Sequence, residues 1–185
     1  MVQDSGPRVL FVCYANMCRS PLAEAIFRQR LIERSPPLAK LATIDSAGTR
    51  AMEGCAPHPL SVEACRSLGI QLQGSGRQIL RRDLSRFDQI VLMDRQNLSD
   101  LRRMTGVSAF GEIAGNRAQI RLLRAIATPH AQGDDLDIPD PIRGGPEGYR
   151  TVLRLVEEGC KALIDELCEE QHPRPIRSNP TFLSR

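Results

Sequence analysis

Residues 8–13 read Arg-Val-Leu-Phe-Val-Cys, an apolar run with β-branched members that stops at a short polar loop and a Ser-Pro pair. A strand apolar on both faces must be covered on both, as strands are inside a parallel sheet. Ser20-Pro21 reads as a helix start, because serine caps well and proline suits the first helical position. Glu24 is expected in the first turn, where negative charge is favoured. Leu22, Ala25, Ile26 and Leu31 would cover the sheet, and Pro36-Pro37 would end the helix. The chain thus opens with strand, loop and helix.

The same alternation continues. Residues 42–46 read as a second strand leading into a turn at Gly48. Residues 59–68 read as a helix closed by Gly69. A buried strand over 88–93 is followed by a helix near 95–104 and Gly106, and 119–123 is a fourth strand candidate. Residues 124–146 are loop-like, and 147–170 are helical with Val152, Leu155, Val156, Leu163 and Leu167 on one side. The expected fold is α/β: a three-layer sandwich with a central four-stranded parallel sheet flanked by helices. The organisation expected is a flexible leader over 1–7, one domain over 8–170 and a disordered tail over 171–185. Sites in such sheets lie beyond the carboxyl ends of the strands, here after residues 13, 46 and 93.

Composition bounds the function. The chain has 185 residues and a net charge of +3, too small to argue for nucleic acid. Its 25 basic residues are almost all arginines, which are scattered, and aromatics are few, so no stacking platform for bases is expected. No apolar stretch approaches the roughly 20 residues that span a membrane. Six cysteines without a secretory signal point to reduced thiols and a cytoplasmic protein. The three histidines have no metal-ligand spacing, and no cofactor is expected.

The loop Cys13-Tyr14-Ala15-Asn16-Met17-Cys18-Arg19-Ser20 carries the chemistry. Backbone N–H groups between a strand and a helix start can converge on an anion. The planar fork of Arg19 suits two phosphate oxygens. The same positive surroundings favour the thiolate form of Cys13, an activated nucleophile for a phosphoryl group. Against this stands the plainer reading of a cysteine ending a buried strand and an arginine on a helix surface.

The stretch VLFVCYANMCRSPLAEAIFR resembles the signature of low-molecular-weight protein tyrosine phosphatases. Ser46-Ala47-Gly48-Thr49, Ile90 to Leu98, and Ile138-Pro139-Asp140-Pro141 with Gly144-Gly145 resemble three further blocks of that family, in its order. The resemblance spans roughly residues 8–168. It implies hydrolysis of phosphotyrosine and small aryl phosphates in tyrosine-phosphorylated proteins, by a monomer or weak dimer. Cys13 would form a cysteinyl-phosphate, Arg19 would clamp the phosphate, and Asp140 would protonate the leaving oxygen and later activate water. Asn16 would hold the loop, supported by Ser46, and Ser20 would hydrogen-bond the Cys13 thiolate. Cys18 would trap an oxidised Cys13 as a reversible disulfide. Asp94 reads at least as well as a helix cap as it does as a catalytic group.

The sequence also departs from the family. Ala15 stands where glycine is usual, and a positive φ there would cost alanine about 1 kcal/mol. No histidine precedes Arg77-Gln78. The aromatic residues that grip a substrate ring are replaced by Met52 after the second strand and by Ile142 and Arg143 after the acid. With Tyr14 and Met17, these are the candidate substrate walls. Protein arginine phosphatases share the fold and are the nearest alternative, but bulky Met17 stands where they carry a small threonine. Arsenate reductases need further cysteines that residues 70–159 lack. A phosphopeptide-binding module with weak turnover is the third reading.

Overall fold

The computed structural model describes residues 6–106, 111–112 and 118–171, with no account of the side chains of 111, 112 and 171. The strands are β1 (Arg8–Cys13), β2 (Thr43–Gly48), β3 (Gln89–Leu92), β4 (Gly111–Glu112) and β5 (Gln119–Leu122). The helices are α1 (Arg19–Arg34), α2 (Pro36–Leu41), α3 (Pro59–Ser67), α4 (Asp83–Arg86), α5 (Arg95–Thr105), α6 (Leu123–Ala127) and α7 (Gly145–Gln171).

The sheet order is β2-β1-β3-β5-β4. β2, β1, β3 and β5 are all parallel, as expected, and β4 adds two antiparallel residues at the edge. Alternate residues of β1 feed two cores. Val9 and Phe11 pack with Leu22, Ile26 and Phe27 of α1 and Val156 and Leu163 of α7. Leu10 and Val12 pack with Ile79, Phe87, Leu98 and Leu101 on the other face. This is why the opening run is apolar throughout.

Several local expectations are corrected. α1 begins at Arg19 with Cys18 in the cap position, so Ser20 is not the cap. Its hydroxyl is committed to partners brought in from elsewhere in the chain. Glu24 falls outside the first turn and holds Arg28 instead. Ala25 is only partly buried, and Ala23 and Phe27 fill the buried face. Pro36-Pro37 does not simply stop a helix: Pro36 occupies the first turn of α2. The loop expected over 124–146 contains α6 and two short 3-10 turns.

Of the expected leader, residues 1–5 lie outside the described residues. Gly6 is buried against Leu41, and the Pro7 carbonyl accepts from Thr43 N at 2.9 Å. Gln171, assigned to the tail, closes α7, and the rest of the tail is outside the described residues.

Candidate active site

The loop from β1 to α1 is held from three sides. Thr49 N donates to Cys13 O at 2.9 Å and Arg50 N to Tyr14 O at 2.8 Å, so the exit of β2 runs along the loop. Glycine is required at position 48 for this approach: a Cβ would sit 2.6 Å from Tyr14 O and 2.8 Å from Asn16 N. The turn expected at Gly48 is thus the last residue of β2, chosen for closeness rather than for bending.

Asn16 is the loop's keystone. Its φ is 53°, the single positive value outside glycine among the described residues. Its amide donates to Ser20 Oγ at 2.9 Å and to Ser46 Oγ at 3.0 Å, and its carbonyl accepts from Arg77 N at 2.9 Å. These bonds offset a left-handed conformation that asparagine tolerates better than most residues. Ala15 has no positive φ, so the strain expected from replacing glycine is absent.

Cys13 Sγ lies 3.0 Å from Ser20 Oγ and is 2% exposed. Ser20 also reaches Ala47 O at 3.2 Å. Ser20 has one hydroxyl proton to give, and in the contact with Cys13 either atom can be the donor.

Arg19 is 3% exposed, and both of its terminal nitrogens are engaged. It donates to Asp94 Oδ2 at 2.5 Å, Ile138 O at 2.8 Å and Asp140 Oδ2 at 3.0 Å. Burial works against its charge, but Cys13, Asp94 and Asp140 outweigh it and hold the Arg19 pKa above its ordinary value. Asp94 caps α5 through Asn97 N at 2.6 Å, as its cap reading expects, and it also pairs with Arg19.

Asp140 arrives because Ile138 N donates to Met93 O at 2.8 Å, docking the acid loop on the exit of β3. Its carboxylate caps the 3-10 turn through Ile142 N at 3.1 Å and is 47% exposed. The turn expected of Asp140-Pro141 is present, and the carboxylate also lies beside Arg19. A cavity of about 320 Å³ lies above these groups, lined by Cys13, Tyr14, Ala15, Met17, Cys18, Arg19, Asp140 and Ile142.

Two wall candidates fall outside that lining. Met52 is 71% exposed, in a loop whose Gly54 N donates to Gly76 O at 2.8 Å. Arg143, one residue beyond Ile142, is exposed. Cys18 is buried, with Sγ 3.1 Å from Tyr149 OH, and Tyr149 stacks on His58 at 5.2 Å. Burial pushes the Cys18 thiol up, while the Tyr149 bond works the other way. Sequence reasoning found neither this cluster nor the Asp94 pairing, since the partners are far apart in the chain.

Over residues 8–173 the chain matches the family model described as low molecular weight phosphotyrosine protein phosphatase. The chain belongs to this family. A low molecular weight protein-tyrosine-phosphatase of Streptomyces coelicolor is 36% identical over 90% of this chain and 97% of its own length. YfkJ of Bacillus subtilis, named as the same kind of phosphatase, is 36% identical over 88% of this chain and 97% of its own. The crystal structure of YfkJ superposes with a TM-score of 0.76, covering 91% of this chain and 98% of that one at 34% identity. A Drosophila arginine phosphatase superposes with a TM-score of 0.72 at 29% identity, over 85% of this chain and 96% of its own. Family membership fits a cavity with a cysteine at its floor and an arginine and a carboxylate beside it.

Proposed function

We propose that this chain hydrolyses phosphotyrosine in proteins, and small aryl phosphates, through a cysteinyl-phosphate on Cys13. The observation that carries the reading is the meeting of Cys13, Arg19 and Asp140 at one cavity. The Cys13 thiolate attacks phosphorus as the bond to the aryl oxygen breaks. Asp140, entering as the acid, gives its proton to that oxygen. Arg19 and the loop amides hold the equatorial oxygens, with phosphate replacing Asp140 on the guanidinium. In the second half Asp140 takes a proton from water as it attacks phosphorus, the S–P bond breaks, and Ser20 donates to the departing thiolate. Orthophosphate leaves and Cys13 is restored.

Tyr14, Met17 and Ile142 are apolar side chains at the cavity, and each can contact an aryl ring. Phosphoserine has no ring and gains little from them. The second reading is a phosphoarginine substrate, for which the likeness to an arginine phosphatase speaks.

We place the protein in the cytoplasm, because all six cysteines are free, as thiols in a reducing compartment are. Among the described residues no helix is long and apolar enough to cross a membrane. We propose a monomer or weak dimer, sensitive to oxidation at Cys13.

Catalytic efficiencies on matched phosphopeptides decide the substrate. Phosphotyrosine is expected first, phosphoarginine second, and phosphoserine and phosphothreonine far behind. A wild-type preference for phosphoarginine would overturn the specificity and leave the mechanism standing. Asp140→Asn is expected to slow aryl phosphates with poor leaving groups much more than activated ones, since an activated aryloxide departs without a proton. Equal losses would reduce Asp140 to a loop-holding residue.

A further inference from the structure

Two arginines beside residues that line the cavity, Arg50 and Arg143, have no acidic partner among the described residues. Arg50 N donates to Tyr14 O, which sets Arg50 beside the Tyr14 wall. Arg143 follows Ile142, the wall next to Asp140. β2 lies on one side of β1, and β3, whose exit docks the acid loop, lies on the other. Arg50 and Arg143 therefore lie on segments on opposite sides of the β1 exit, and both are exposed.

Among the described residues, neither side chain makes a hydrogen bond or ion pair. Other arginines near the strand exits differ. Arg19 holds Asp94 and Asp140, Arg77 holds Asp45 and Asp83, and Arg95 holds Asp134 and Asp137. In a chain with 22 acidic residues, two exposed guanidinium groups left without a partner on the segments either side of the cavity are free to pair with an acidic ligand.

We infer that Arg50 and Arg143 are specificity-determining residues that pair with acidic side chains on the two sides of the phosphorylated residue. This rests on the phosphomonoesterase reading above and adds the sequence context of its substrate. An extended peptide advances about 3.3 Å per residue, so positions one to three away from the phosphorylated residue reach these segments. Exposed charges act on association and are screened by salt, so the preference appears in KM, not in kcat.

Arg82 provides a control. Its side chain is exposed and unpartnered among the described residues, but it sits before α4, on the segment leading to the amino end of β3. The experiment compares one phosphotyrosine peptide with acidic or neutral amide residues before, after, or on both sides of the phosphotyrosine. Wild type, Arg50→Gln, Arg143→Gln and Arg82→Gln are measured at low and high salt, with a free aryl phosphate in parallel.

Wild type is expected to favour the doubly acidic peptide by about 5- to 10-fold in kcat/KM at low salt, through KM. High salt should erase most of this. Arg50→Gln should lose the preference on one side of the phosphotyrosine and Arg143→Gln on the other, while Arg82→Gln keeps both. Equal efficiencies for acidic and neutral peptides, in a protein that turns over the aryl phosphate, would overturn the inference and spare the phosphatase reading. So would an equal loss of preference in Arg82→Gln. Failure to turn over any of the substrates would overturn both.

Discussion

Arg19 and Asp94 are joined at 2.5 Å across 75 positions of sequence, and the pair fixes the guanidinium beneath the cavity. Asp94 is placed to do this because it follows the exit of β3 and caps α5. Asp94→Asn keeps a capping oxygen and removes the charge. Phosphate or vanadate binding is expected to weaken by about tenfold, the scale of losing a charge-assisted bond while a neutral one remains. The thermal midpoint should change little. Unaltered vanadate affinity would mean that Ile138 O and packing alone orient Arg19.

The acid loop should carry a signature in pH. Asp137 accepts from Arg95 N and Nε, and Arg95 also holds Asp134. Burial opposes the Asp137 charge, but its bonds to Arg95 prevail and keep the carboxyl below its ordinary value. A carboxylate depressed on folding adds stability that is complete above its unfolded pKa and drains as pH falls through the folded one. Asp137→Asn is therefore expected to lower the thermal midpoint at pH 7 by roughly 1–3 °C. Below the usual aspartate range, about pH 4, the gap to wild type should close. A gap that persists in acid would show that Asp137 acts by packing.

How far the sequence discloses this arrangement differs from element to element. β1 is legible because each residue from Val9 to Cys13 packs in one core or the other, so every one of these positions is apolar. Gly69 and Gly106 end helices with φ of 71° and 75°, where a Cβ would strain the backbone. The Ser20 cap is misread because capping is a local rule, whereas Ser20 answers to Cys13, Asn16 and Ala47. α2 is hidden because proline marks a helix start as readily as a stop. Cys13, Arg19 and Asp140 are legible from motif resemblance, and the cavity contains all three. Met52 is misplaced because its loop follows bonds between Gly54 and Gly76, a pairing that no spacing reveals.

Cys18 offers a redox test. Its thiol is buried against Tyr149 on the same loop as Cys13. Brief peroxide is expected to oxidise Cys13 to the sulfenic acid. Cys18 then displaces water to form a disulfide that dithiothreitol reduces. Mass spectrometry should find the Cys13–Cys18 link, and Cys18→Ala should recover much less activity after the same exposure. Equal recovery in Cys18→Ala would make Cys18 a packing residue. Cys65 is expected to stay inert to the same treatment, because burial pushes its thiol up to about 12.

The central claim is that Cys13 is the nucleophile, and its most direct test is a rapid acid quench of the protein during turnover of an aryl phosphate, followed by mass analysis of the Cys13 peptide. A phosphoryl group on Cys13 is expected in wild type, accumulating further in Asp140→Asn with an activated substrate, since loss of the base slows hydrolysis of the intermediate. Cys13→Ala should show no phosphorylated peptide and no turnover while still binding vanadate. Substantial turnover by Cys13→Ala would contradict the covalent mechanism.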